Sequence, residues 1–132
     1  MPENIRVGLI RCDTHGAYYA ALMDKHDPLR LRFPVPIHQP IPYAWLRGGI
    51  HLYFYTQYRD PTAITVETVD GFEIVKLWDA HRDAAEALRY VLLGRPKLCD
   101  SFEEVSDGVD LVFIADANGE GHDHLELAAP GL

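Results

Sequence analysis

The stretch Ile5-Arg-Val-Gly-Leu-Ile-Arg11-Cys-Asp13-Thr-His-Gly16-Ala decides the fold of this chain. An apolar run leads into a turn and then into a helical pattern, which is the setting of the dinucleotide-binding fingerprint Gly-x-Gly-x-x-Gly. Of the three glycines only the last is present, as Gly16, while Arg11 and Asp13 occupy the positions of the first two. The stretch therefore predicts a strand, a turn and a helix, with a turn that departs from the fingerprint.

Working outward from this stretch, strands and helices are predicted to alternate along the chain. Segments that are apolar on both faces predict buried parallel strands at 5–11, 72–78 and 109–115. Apolar spacing and end signals predict helices at 15–25 and 82–93, a short strand at 98–99 and a short helix at 101–105, for which Ser101 and Glu104 fit a capping box. This alternation predicts an α/β fold, a Rossmann-like parallel sheet with helices on both faces.

Residues 27–70 interrupt the alternation and form an insertion between the first helix and the second strand. Six prolines predict that no regular helix forms early in this segment. Its many aromatic residues argue against disorder, so we expect an ordered segment that packs its rings. These rings either wall a ligand pocket or form a subunit contact, in which Tyr and Trp are enriched. We favour the contact, which makes a homo-oligomer possible.

Length and composition exclude several classes of protein. The 132 residues are about one domain long, and we expect 1–132 to form a single nucleotide-binding domain. No apolar run approaches the roughly 20 residues of a membrane span, and the polar start lacks the features of a signal peptide, which favours a cytoplasmic protein. The net charge of −8 argues against nucleic-acid binding. Residues 98–132 carry nine Asp and Glu residues and no Lys or Arg, which is explained either by a solvated acidic surface or by a larger protein of which the chain is a part.

The turn after the first strand is the candidate phosphate site. Gly16 fits the third fingerprint position, which lets helix and strand pack closely. A carboxylate at Asp13 would repel phosphate, whereas Thr14 and His15 offer donors and Arg11 offers a cation. The alternative is that Asp13 or Thr14 caps the helix.

Asp79 follows the second predicted strand and is the candidate ribose ligand of the fingerprint. It lies far beyond the roughly 20 residues that the motif expects, because residues 27–70 intervene. The alternative is that Asp79 caps the next helix. Arg82 offers a contact to a 2′-phosphate, but Asp79 is an unfavourable neighbour for that phosphate, so NAD is favoured over NADP.

The loop after the last predicted strand contains Asn118, His122, Asp123 and His124. Ligands bind beyond the carboxyl ends of such strands, which places His124 near a cofactor. A metal site is disfavoured, because two histidines separated by one residue diverge and no third ligand is spaced to join them.

Three blocks of the sequence together resemble one family. IRVGLIRCDTHGAYYAALM, FEIVKLWDAHRDAAEAL and CDSFEEVSDGVDLVFIADANGEGHDHLELAAPGL are similar to the N-terminal half of the glucose–fructose oxidoreductase / inositol dehydrogenase family (Gfo/Idh/MocA). The resemblance implies hydride exchange between NAD(P) and a sugar- or polyol-like alcohol. It also implies that Thr14, His15 and Gly16 lie by the pyrophosphate, Asp79 by the ribose, and Asn118 with His124 at the nicotinamide end.

The sequence lacks the parts of this family that carry out catalysis. The family's Glu-Lys-Pro motif and its C-terminal substrate domain are not present, so we assign no catalytic residue. Two hypotheses remain: the NAD(P)-binding half of an oxidoreductase, or a non-catalytic Rossmann-like module that has lost the cofactor site. The second predicts that Arg11 and Asp13 pair with protein groups, and that the aromatic residues of 27–70 bury against a partner.

Overall fold

The computed structural model describes residues 4–35, 41, 43–52, 69–115 and 124–132. The strands are β1 (Ile5–Ile10), β2 (Phe72–Trp78), β3 (Lys97–Leu98) and β4 (Leu111–Ile114). The α-helices are α1 (Thr14–Met23), α2 (Pro28–Arg32), α3 (Gly49–Leu52), α4 (Arg82–Val91), α5 (Phe102–Val105) and α6 (His124–Ala128), with 3₁₀ helices at Ala44–Arg47 and Ala129–Gly131. None of the helices in these ranges has the length and apolar character needed to cross a membrane.

The four strands form one parallel sheet in the order β3-β2-β1-β4. The chain moves from β1 through β2 to β3 on one side, and then crosses over to place β4 on the other side of β1. Such an order confirms the Rossmann-like α/β fold. It creates a switch point beyond the carboxyl ends of β1 and β4, which is where open α/β sheets bind ligands.

Helices cover both faces of the sheet, as predicted. Alternate residues of a strand point to opposite faces. Val7 and Leu9 of β1 belong to a buried cluster with the apolar residues of α1 and α4. Ile10 belongs to a second cluster with Val105 of α5 and Leu127 of α6. The turn after β1 therefore begins between two packed layers.

The helix at the start of the 27–70 segment corrects one expectation. We predicted that its prolines prevent a regular helix early on, but α2 begins at Pro28. Proline is tolerated at the first helical position because the N–H that it lacks would have no helical partner there. The Asp27 side chain caps the same helix by accepting from the N–H groups of Leu29 and Arg30, at 2.9 and 3.2 Å.

The described centre of the 27–70 segment packs into the chain itself. Tyr43, Trp45, Leu46 and Ile50 are all buried in the cluster that contains α1 and α4. Tyr43 and Trp45 are thus buried against this chain itself, whereas Phe33 of the same segment is about half exposed. The burial of Tyr43 and Trp45 fits a wall better than a contact. The remaining aromatic residues at 53–58 lie outside the described residues.

Both ends of the 27–70 segment are tied to the sheet and α1. The Val69 N–H donates to the Leu22 carbonyl at 2.7 Å. The buried carboxylate of Asp24, which follows α1, accepts from the Ile74 N–H of β2 and from the Arg95 guanidinium, both at 2.9 Å. The segment therefore leaves and re-enters the fold at neighbouring, fixed points.

The capping box predicted for the short helix α5 does not form. Ser101 occupies the N-cap position, but its side chain makes no capping hydrogen bond. The Glu104 carboxylate lies 3.8 Å from the Lys97 ammonium. This ion pair directs the glutamate away from the Ser101 N–H that a capping box requires.

Candidate functional site

Arg11 takes the backbone conformation that the fingerprint reserves for its first glycine. Its φ of 80° lies in the left-handed region, which is unfavourable for a residue with a Cβ by roughly 1–2 kcal/mol. The conformation is held because the Arg11 N–H donates to the Trp78 carbonyl at 2.7 Å and the side chain is only 1% exposed. The turn thus places at Arg11 a backbone conformation that glycine adopts most readily.

Asp13 closes the N-terminus of α1. Its Oδ1 accepts from the Gly16 N–H at 2.9 Å, and its carbonyl accepts from the Ala17 N–H at the same distance. The side chain is buried and occupies the N-cap position. This geometry confirms the capping interpretation and places a carboxylate where the fingerprint would place a phosphate.

Gly16 performs the packing role of the third fingerprint glycine. A Cβ built on Gly16 would lie 2.2 Å from the Arg11 carbonyl oxygen, which is far inside van der Waals contact. Only glycine therefore allows α1 to start this close to the end of β1.

Asp79 directly follows β2, and its carboxylate is enclosed by donors from three parts of the chain. It accepts from the Cys12 N–H and the His81 N–H, both at 2.7 Å, and from the Tyr43 hydroxyl at 3.0 and 3.1 Å. The Arg11 Nη1 atom lies 3.9 Å away. Burial raises the pKa of Asp79, and the hydrogen bonds and Arg11 oppose this rise. His81, not Asp79, stands at the N-cap position of α4.

Two aromatic residues of the 27–70 segment cover the turns that follow β1 and β2. Trp45 donates from Nε1 to the Cys12 carbonyl at 2.8 Å, and the Tyr43 ring meets the His81 ring edge-on at 5.5 Å between centroids. Neither residue was named as a site residue, although the wall of a ligand pocket was one of the two places expected for the rings of this segment. The sequence carried only a general signal, that these rings must be buried somewhere.

Cys12 is held on both sides by this arrangement. Its N–H is bound by Asp79, its carbonyl by Trp45, and its side chain is fully buried as a free thiol. Burial raises the pKa of the Cys12 thiol well above its ordinary value, and the carboxylates of Asp79 and Asp13 raise it further. A thiol in this state is a packing group and a poor nucleophile.

The other predicted site residues lie elsewhere or outside the described residues. The Arg82 side chain is about half exposed and pairs with Asp100 at 3.0 Å and with Glu86 at 3.4 Å, along the outer surface of α4. His124 is the first residue of α6, whereas Asn118, with the His122 and Asp123 of the metal interpretation, falls outside the described residues. In the part of the chain that is described, no group of three side chains could hold a metal ion.

A cavity of about 430 Å³ lies beside the first two turns of α1. Its lining comes from α1 and from the centre of the 27–70 segment: Thr14, His15, Tyr18, Tyr19, Ala44, Trp45, Gly49 and Ile50. The volume is within the 300–1,000 Å³ range of small-molecule sites. Of the residues predicted to bind a cofactor, Thr14 and His15 border this cavity, while Arg11, Asp13, Gly16 and Asp79 form the closed cluster behind it.

Comparison of the chain with protein-family models, with curated proteins and with solved structures finds no match. The likeness to the Gfo/Idh/MocA family therefore stays a prediction from the residues, and the function has to be inferred from the geometry.

Proposed function

We propose that this chain is a Rossmann-like binding module without catalysis of its own, in which side chains of the chain close the dinucleotide site. The observation that carries this proposal is the Asp13 carboxylate on the N-terminus of α1, with its hydrogen bond from the Gly16 N–H at 2.9 Å. A pyrophosphate at that position would meet a negative charge where the fingerprint offers free N–H donors.

The enclosure of Asp79 supports the same proposal. A ribose ligand must offer free acceptor sites, and a carboxylate has about four. Two backbone N–H groups and the Tyr43 hydroxyl, which lies near both oxygens, already take three of these sites, and the side chain is sealed from solvent. The residues present therefore do not fit a dinucleotide in this conformation.

The buried cluster acts as a structural lock. Asp79 fixes the Cys12 N–H and Tyr43, Trp45 fixes the Cys12 carbonyl, and Asp13 fixes the start of α1. As the non-catalytic hypothesis expects, Asp13 and Arg11 are engaged by protein groups. The lock joins the sheet to the described centre of the 27–70 segment.

A second candidate is the NAD(P)-binding half of an oxidoreductase that acts on a sugar- or polyol-like alcohol. The strand order, with its switch point beside β1, and the close packing at Gly16 favour it. In this case Tyr43 and Trp45 would have to leave Asp79 and Cys12 before a dinucleotide entered, and the two residues would act as a plug. This candidate favours NAD as the cofactor and a cytoplasmic location for the protein.

Titration with NADH and NADPH, followed by nucleotide fluorescence and by calorimetry, separates the two candidates. We expect no saturable binding to the wild-type chain up to about 1 mM nucleotide. A Kd of about 1 mM corresponds to a binding free energy of only about 4 kcal/mol. The variant Asp13→Gly removes the carboxylate while costing the helix cap only a few tenths of a kcal/mol. A gain of binding in this variant, absent from the exposed control Asp107→Gly, would identify Asp13 as the closing group.

Saturable binding to the wild-type chain with Kd below about 0.1 mM would instead establish the second candidate. Light scattering on the same samples reports whether the chain self-associates, since a module whose partner is a second copy of the chain requires a dimer or larger species.

A further inference from the structure

We infer that the cavity between α1 and residues 44–50 is a binding site for a small, planar aromatic molecule that is uncharged and carries a hydrogen-bonding group. This inference goes beyond the proposed function, because the cavity lies outside the closed cluster of Asp13 and Asp79. Three properties of the cavity support it: the aromatic residues in its walls, the polar residues at its rim and the charged groups near it.

The walls are aromatic and held in place. Trp45 is almost fully buried, and its Nε1–Cys12 carbonyl hydrogen bond of 2.8 Å fixes the orientation of the indole. Tyr19 packs against Tyr18 edge-on at 5.3 Å and against the Phe113 ring of β4 at 5.4 Å. Because Trp45 is only 1% exposed, the aromatic surface open to a ligand is that of Tyr18 and Tyr19, which favours a flat ring that stacks on them or meets them edge-on. Because the walls are fixed before binding, little ordering is required of the protein.

The rim supplies polar groups at one end of the cavity. Thr14 and His15 are exposed in the first turn of α1, and neither side chain makes a hydrogen bond to another described residue. A hydroxyl and an imidazole can each donate or accept, so together they can orient one polar substituent of a ring. An apolar cavity with a few convergent polar groups is the common form of a small-molecule site.

The charged groups near the cavity indicate which class of ligand it can bind. Among the described residues that line the cavity there is no lysine or arginine, and the nearest carboxylate along α1 is that of Asp13. An anionic ligand would therefore find no cation to pair with. A neutral phenol or indole matches the lining.

Gly49 provides a way to fill the cavity without disturbing its walls. It lines the cavity, and a Cβ built there meets only the Ala44 carbonyl oxygen, at 3.9 Å. Gly49→Phe is therefore expected to place a ring in the space that a ligand would take. Ala129→Phe adds a ring at an exposed position of the C-terminal 3₁₀ helix and serves as the control.

The test is a fluorine NMR titration of 5-fluoroindole with the full chain. We expect saturable binding with Kd of about 1 mM or tighter, at least a tenfold loss of affinity in Gly49→Phe, and an unchanged affinity in Ala129→Phe. Ala44→Leu, a second substitution in the lining, replaces Gly49→Phe if circular dichroism shows that the latter is unfolded. No saturable binding to wild type, or equal affinity in a folded, filled variant, overturns the inference. The NADH titration is a separate readout, since the filled variants leave Asp13 and Asp79 in place.

Discussion

Asp79 joins three parts of the chain that are far apart in sequence, and Asp79→Ala tests whether this junction holds the fold together. The substitution removes the acceptor for the Cys12 N–H, the His81 N–H and the Tyr43 hydroxyl at once. None of these donors has to move for the loss to take effect, so the change in stability measures the junction directly.

The expected magnitude follows from the burial of each donor. The Cys12 N–H and the Tyr43 hydroxyl are buried, and a buried donor that loses its partner costs about 1–3 kcal/mol. His81 is exposed, so its N–H can turn to water at little cost. Removal of a carboxylate that burial disfavours returns part of the loss, but the buried Arg11 guanidinium then loses this counter-charge. We expect Asp79→Ala to lower the free energy of unfolding by about 3 kcal/mol.

Urea unfolding measures this loss, followed by tryptophan fluorescence and circular dichroism with the slope of the transition as a check on two-state behaviour. Tyr43→Phe in the wild-type background removes one donor and is expected to cost about 1 kcal/mol, whereas in the Asp79→Ala background it should cost nearly nothing. Asp107→Ala, at an exposed turn, is the matched control and should change stability by less than about 0.5 kcal/mol.

Two results would refute the reasoning about the junction. One is a loss below about 0.5 kcal/mol for Asp79→Ala with an unchanged slope, since a buried acceptor shared by three donors cannot be removed so cheaply. The other is an equal effect of Tyr43→Phe in both backgrounds, because the hydroxyl would then act independently of Asp79.

Two further predictions concern the backbone and pH. Gly16→Ala should destabilise the chain by more than about 3 kcal/mol or prevent folding, because its Cβ meets a backbone oxygen at 2.2 Å. Gly94→Ala is the control: its Cβ has open space although the φ is +73°, so it should cost only about 1 kcal/mol in urea unfolding. Equal losses of stability in Gly16→Ala and Gly94→Ala would show that the start of α1 can shift to make room for a Cβ. Burial lowers the pKa of His26, so the unfolded chain takes up the proton near pH 6.5 while the folded chain does so only at lower pH. Stability should therefore fall as the pH drops from 7 towards 5.5, and His26→Gln should reduce that fall; an unchanged pH profile would contradict the assignment.

The sheet could be predicted from the sequence because its signals are local. The strands and long helices end within two residues of the predicted bounds, since apolar runs and the 3.6-residue period reflect packing against neighbouring layers. The placement of Asp79 at the end of β2, and of Asp13 as a cap, also follows from short-range patterns. The start of α2 was missed although Asp27 before Pro28 is itself a helix-start signal.

The closure of the site could not be predicted in the same way. Tyr43 reaches Asp79 across 36 positions, and Trp45 reaches Cys12 across 33, with no periodicity linking them. Arg11 adopts a glycine-like φ because its N–H is bound to β2 and its side chain is buried, so residue type alone predicts the opposite. These features depend on tertiary contacts that overrule local preference.

The fixed ends of the 27–70 segment give this fold a degree of evolutionary freedom. Because the Val69 and Asp24 hydrogen bonds hold its points of departure and return, the segment can gain, lose or exchange residues at a loop-closure cost that rises only slowly with length. Its centre supplies one wall of the cavity and the cover over Asp79. A graft that keeps the buried Tyr43, Trp45, Leu46 and Ile50 and changes the rest of the segment would leave the packing on the sheet intact. The chain is in this sense a frame whose inserted segment can be exchanged outside its buried centre.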